Sequence, residues 1–187
     1  MKTLIATIAT VLMTVSSASA LSFTWASSTA IKFDGTNLKS SSAVTGYLVY
    51  LGSSATVGSS YDLSDSIVST VGTEVGSLNG TSAMSKISTT FTFDYGTYEN
   101  NDAFAMLLKY DGADGKTYYN LSSTTYTLAG IADEKSTITG ASFAFSYGTS
   151  DSTSKISSGG GWTAVPEPST AALALAGLAL LLKRRKA

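Results

Sequence analysis

The stretch Ile87-Ser-Thr-Thr-Phe91-Thr-Phe93-Asp-Tyr95 decides how this chain folds. Ile87, Thr89, Phe91, Phe93 and Tyr95 fall on one side of an extended backbone, while Ser88, Thr90, Thr92 and Asp94 fall on the other. A period of two with polar partners predicts a strand with one buried and one wet face. Residues 139–147 repeat the pattern with Phe143, Phe145 and Tyr147. Residues 44–51 and 103–110 are apolar on both faces and read as central strands. Weaker strand signals cover residues 21–26, 30–33 and 117–121. Residues 62–71 predict a short helix, because Leu63, Ile67 and Val71 recur every four residues and Asp65 would sit in the first turn.

Turn chemistry separates these runs. Asp34-Gly35, Asn79-Gly80, Asp111-Gly112 and Asp114-Gly115 each supply a residue that tolerates positive φ. The clearest hairpin joins residues 103–110 to 116–121 through the turn at 111–115. Many short strands with at most one helix predict an all-β fold, an antiparallel β-sandwich or β-roll. Residues 157–161 are Gly/Ser-rich and read as a linker, which places the end of the folded domain near Ile156.

Composition narrows the chemistry. The chain has no cysteine and no histidine, so a thiolate nucleophile, a disulfide framework and the commonest general base are all missing. Its two arginines, Arg184 and Arg185, lie in the last four residues. Between residues 21 and 165 there are seven lysines against twelve acids, a net charge of −5. An acidic domain without arginine is a poor partner for phosphate backbones, so nucleic acid is not expected. These absences favour a non-enzymatic domain without cofactors over a catalyst.

The two ends carry addresses. Lys2 precedes an apolar stretch and then Ala18-Ser19-Ala20, the order of a secretory signal peptide cleaved after Ala20. At the other end Pro166-Glu167-Pro168 leads into an uncharged run rich in Leu and Ala over residues 170–182, closed by Lys183-Arg184-Arg185-Lys186. Thirteen helical residues span about 20 Å, short of the ~30 Å hydrocarbon core. Snorkelling cations and local thinning can make up the difference, and the terminal basic cluster fits the cytoplasmic side. This three-part tail resembles the PEP-CTERM sorting signal. The resemblance implies an exported protein that a membrane enzyme, exosortase, processes near Pro166-Glu167-Pro168 and directs to the cell surface or extracellular matrix. It implies nothing about the activity of the preceding domain. The expected organisation is a signal peptide at 1–20, a β-rich exported domain at 21–156, a linker at 157–165 and the sorting signal at 166–187.

Candidate sites lie within the domain and in the linker behind it. Asp111 and Asp114 share one tight turn and could offer oxygens to Ca²⁺, but the turn lacks further anionic ligands at regular spacing. A hairpin using Asp and Gly for backbone reasons is the simpler reading, and Asp133-Glu134 reads the same way. Tyr95, Tyr98, Tyr118, Tyr119 and an apparently exposed Trp162 are candidates for stacking on an extracellular polysaccharide, although strand periodicity also places such rings in a core. Paired carboxylates for glycan hydrolysis are not singled out by any spacing.

Overall fold

The alternating stretch does become a strand, and its Phe face is the seam of a sandwich. The structure, a computed structural model, describes residues 19–64, 66–150 and 155–165. Asp65, residues 1–18 with Ala18, and the sorting tail at 166–187 lie outside the described residues. In chain order the first strands are β1 (Ala20–Ser27), β2 (Lys32–Phe33), β3 (Thr36–Asn37), β4 (Val44–Ser53) and β5 (Ser60–Asp62). One helical turn, α1 (Ile67–Val71), precedes β6 (Thr73–Asn79), β7 (Ser88–Asp94), β8 (Asp102–Asp111), β9 (Thr117–Leu121) and β10 (Tyr126–Thr127). The chain then forms β11 (Ala141–Phe143), β12 (Thr149–Ser150), β13 (Lys155–Ser157) and β14 (Trp162–Ala164).

A three-stranded sheet, β11-β1-β7, packs against a seven-stranded sheet in the order β12-β14-β9-β8-β4-β6, with β10 also on β8. Most pairs are antiparallel, but β1–β11 and β12–β14 run parallel. In β1 the buried residues Leu21, Phe23 and Trp25 alternate with exposed Ala20, Ser22 and Thr24, so this sheet has one dry and one wet face. Its dry face meets Val44, Leu48, Phe104, Met106, Leu108 and Trp162 from the larger sheet. Phe23 is the hub, with ring centroids 5.6 Å from Phe91 and from Phe104 and 5.2 Å from Tyr126. These close, mostly edge-on and tilted contacts are the geometry that aromatic quadrupoles favour.

The larger sheet is covered on both faces. Val49, Ala105, Leu107, Tyr119 and Leu121 point away from the sandwich core into a second cluster with Leu63, Ile67, Val71 and Ile156. That is why β4 and β8 read as apolar on both faces. Helix α1 and the two-stranded β5–β13 ribbon form this outer cover.

Three expectations need correction. The helix begins at Ile67, not Asp62, because Ser60–Asp62 is strand β5, paired with Lys155–Ser157. The strand expected over 139–147 is regular only at β11. The segment expected to be a linker is internal to the fold: Trp162–Ala164 is a buried strand whose Thr163 and Ala164 register with Tyr119 and Tyr118. Its glycines serve close approach. Gly161 has φ +86°, and a Cβ there would fall on the carbonyl oxygen of Gly148. Trp162 N–H donates to that same oxygen at 2.7 Å. The fold therefore runs to Val165, whose N–H donates to the Thr117 carbonyl at 2.8 Å. At the β2–β3 hairpin the turn chemistry is met as read: Asp34 and Gly35 both have positive φ, 47° and 71°, as a two-residue hairpin requires.

Candidate functional site: a half-covered sheet face

Helix α1 is only five residues long and covers only part of the outer sheet face. Register partners across an antiparallel sheet project to the same side. Tyr47 is partnered with Leu107, and Lys109 with Tyr119, so all four side chains share the face that α1 caps. Leu107 is fully buried there, whereas Tyr47 and Lys109 are partly exposed. The result is a groove of about 770 Å³ lined by Tyr47, Lys109 and Tyr119 from the sheet, by Ser66, Val68 and Ser69 around the helix, and by Glu74 from β6. Its size falls within the usual range of small-ligand clefts.

The groove combines flat rings with hydroxyl, ammonium and carboxylate groups. Lys109 Nζ lies 3.0 Å from Asp111 Oδ2. That hydrogen bond raises the ammonium pKa, against a smaller opposing effect of burial. The lysine therefore stays charged in neutral solution and forms one fixed donor at the groove.

The Asp111–Asp114 turn uses its own carboxylates. Asp111 also accepts from Thr117 Oγ1 at 2.9 Å. Asp114 accepts from the Tyr118 hydroxyl at 2.7 Å and from the Lys116 N–H at 3.2 Å. The Tyr118 bond, then the backbone bond, hold the Asp114 carboxyl below its ordinary pKa. Each carboxylate is thus engaged within its hairpin, and among the described residues no three His, Cys, Asp or Glu side chains converge as a metal site would need. Asp133 is likewise used locally, its Oδ1 accepting from Lys135 N–H at 2.9 Å.

The aromatic candidates do not form one platform. Trp162, expected at the surface, is fully buried, because its ring packs against Phe33 and Tyr110, both with centroids 5.9 Å away. Tyr118 packs on Phe33 at 4.7 Å, within the sandwich core. Tyr119, its neighbour in sequence, points to the opposite face and into the groove. Tyr95 and Tyr98 line a separate recess of about 390 Å³ with Glu99, Asn100 and Ile131. Tyr95 is 48% exposed there, while the Tyr98 ring packs on Tyr50, Phe93 and Phe104. Sequence reading missed Tyr47 and Lys109. Their signal was parity: each lies two residues from a buried member of the outer cluster, Val49 or Leu107.

The predicted processing residues fall at the borders of the fold. Ala20 opens β1 opposite Asp94, and the next residue, Leu21, is buried. Pro166, Glu167, Pro168 and the Lys183–Lys186 cluster follow Val165 and lie outside the described residues. Among the described residues no helix is long and apolar enough to cross a membrane.

The fold and site define an all-β domain with an open, mixed aromatic and polar sheet face. Residues 164–186 match the family model of the PEP-CTERM protein-sorting motif, the resemblance read from the tail. The motif marks the chain for export and exosortase-dependent sorting to the cell surface. No curated protein and no solved structure matches the chain.

Proposed function

We propose that this protein is a non-enzymatic, surface-directed β-domain with a structural or adhesive role in the cell envelope or extracellular polymer matrix. The observation that carries the reading is the sorting motif at 164–186 directly behind a domain that lacks cysteine and histidine. In this reading a signal peptide ending at Ala20 starts export. The run at 170–182 then holds the chain in the membrane, with Lys183, Arg184, Arg185 and Lys186 on the cytoplasmic side. Pro166 and Pro168 keep the segment ahead of the helix extended, since proline fixes its own φ and biases the preceding residue away from helix. Exosortase meets that extended segment at the outer interface and removes the tail. Mass spectrometry of the protein from an exosortase-bearing host should find a C-terminus near residue 168. A native chain still ending at Ala187 would leave a permanent anchor in place of sorting.

A second reading, a carbohydrate-binding module, is favoured by the groove. Tyrosine rings stack on sugar faces, and Lys109, Glu74, Ser66 and Ser69 supply hydrogen-bonding groups around Tyr47 and Tyr119. In a pull-down with extracellular polysaccharide from the host, Tyr47→Ala should reduce retention about tenfold or more, the effect of losing roughly 1.4 kcal/mol of contact. Equal retention of the variant and the natural protein would rule the groove out as the glycan site.

A further inference from the structure

Among the described residues the paths of the two sheets end in four strands, of which three are blunted, and β10, which pairs β8 off the path, has only two residues. Strand β12 has two residues and β11 has three, too short to template a partner. Strand β6 has seven, but a register shift interrupts its pairing with β4, and it carries Glu74. Bulges and charges are the devices that protect an edge. Strand β7 has no bulge, and its one charge, Asp94, is its last residue. Its seven residues, Ser-Thr-Thr-Phe-Thr-Phe-Asp, pair with β1 without a break and include no proline or lysine.

The direction of its free backbone groups follows from the two ends of the ladder. The Ile87 carbonyl accepts from Ser27 N–H at 3.0 Å, and Tyr95 N–H donates to the Ser19 carbonyl at 2.9 Å. Odd-numbered residues between them therefore turn their N–H and C=O toward β1, and Ser88, Thr90, Thr92 and Asp94 turn theirs outward. Among the described residues only the Asp94 carbonyl finds a partner on that side, the Thr97 N–H at 3.0 Å.

We propose that β7 is a dimerisation edge, pairing antiparallel with β7 of a second copy about a two-fold axis at Phe91. In that register Thr90 and Thr92 exchange backbone bonds with Thr92 and Thr90 of the second copy. Their hydroxyls lie together on the wet face, a favourable cross-strand pairing. Phe91 meets Phe91, covering a ring that is only partly buried although it packs on buried Phe23 and Phe93. The charges choose the direction. Antiparallel pairing sets Asp94 opposite Ser88, whereas parallel pairing would set Asp94 beside Asp94. The product is one continuous sheet, β11-β1-β7-β7-β1-β11. Because the other sheet edges among the described residues are blunted, the interaction closes at two copies rather than running on into a fibre. This inference is independent of the sorting and glycan readings.

Sedimentation velocity on the exported protein recovered from its host, over a wide dilution series, tests it. The natural protein should sediment as a dimer that dissociates on dilution. Thr92→Lys should sediment as a monomer with an unchanged circular dichroism spectrum, and Thr92→Ser should remain dimeric. Thr90→Pro should also be monomeric, since the N–H it removes is one that β1 does not use; if that variant fails to fold, Thr92→Lys decides. The chain has no cysteine of its own, so register can be read by oxidation. A mixture of Thr90→Cys and Thr92→Cys copies should cross-link to a covalent dimer. A natural protein that is monomeric throughout, a Thr92→Lys variant that stays dimeric, or a dimer that resists this cross-link overturns the proposal.

Discussion

Replacing Trp162 by alanine is expected to lower the unfolding free energy by about 3–5 kcal/mol, the usual cost of truncating a fully buried aromatic side chain. The residue sits two positions after Gly160 in a stretch that reads as a tail, yet it is 0% exposed. Its indole N–H donates to the Lys32 carbonyl at 2.6 Å, tying the last strand to the β2–β3 hairpin across 130 residues of sequence. Truncation opens a cavity beside Phe33 and Tyr110 and also leaves that carbonyl without its donor. An unmet buried group adds about 1–3 kcal/mol where water cannot reach it. Against a typical total of about 5–15 kcal/mol, the variant should be marginal. Urea denaturation followed by the fluorescence of the other tryptophan, Trp25, reads the shift. An unchanged midpoint would mean that residues 162–164 add nothing to the fold. The expected loss would reach sorting as well, since the matched motif begins at Ala164, inside this strand.

The same residue shows where sequence reading stops. The alternation at 87–95, the two-faced apolar runs in β4 and β8 and the 103–121 hairpin were legible because side chains within each run declare its buried face. Strand β14 has three residues, too few for a period, and it exists because Thr163 and Ala164 pair with Tyr119 and Tyr118. Strands β5 and β13 lie more than ninety residues apart and fix one another, so neither segment carries the signal alone. Gly/Ser composition around 157–161 says that the backbone adopts unusual angles or close contacts, and flexibility is only one reason for that. Here the reason is contact with Gly148. The groove was half legible. Tyr119 stood out as an aromatic, but Tyr47 and Lys109 join it through register between β4, β8 and β9, a property of pairing that no single strand records.

Introducing a lysine at Leu107 is expected to abolish cooperative folding, whereas a lysine at Thr24 should be nearly neutral. Both are strand positions, one in each sheet, and the contrast tests the double cover of the larger sheet. Thr24 lies on the wet face of β1 between buried Phe23 and Trp25, so a lysine there extends into solvent. Surface changes of that kind usually stay within about 0.5 kcal/mol. Leu107 is fully buried in the outer cluster with Ile67, Val71 and Ile156. Losing its side chain alone costs about 2–5 kcal/mol. The ammonium must then be neutralised or kept charged in an apolar site, and each unit of pKa depression adds about 1.4 kcal/mol at a pH below the folded-state pKa. If α1 and the β5–β13 ribbon did not cover this face, Leu107 would behave like Thr24. Thermal melts followed by circular dichroism separate the cases. A cooperative transition for Leu107→Lys close to that of the natural protein would show that the outer cover is open, and would extend the groove at Tyr47 and Lys109 along the whole face of β8.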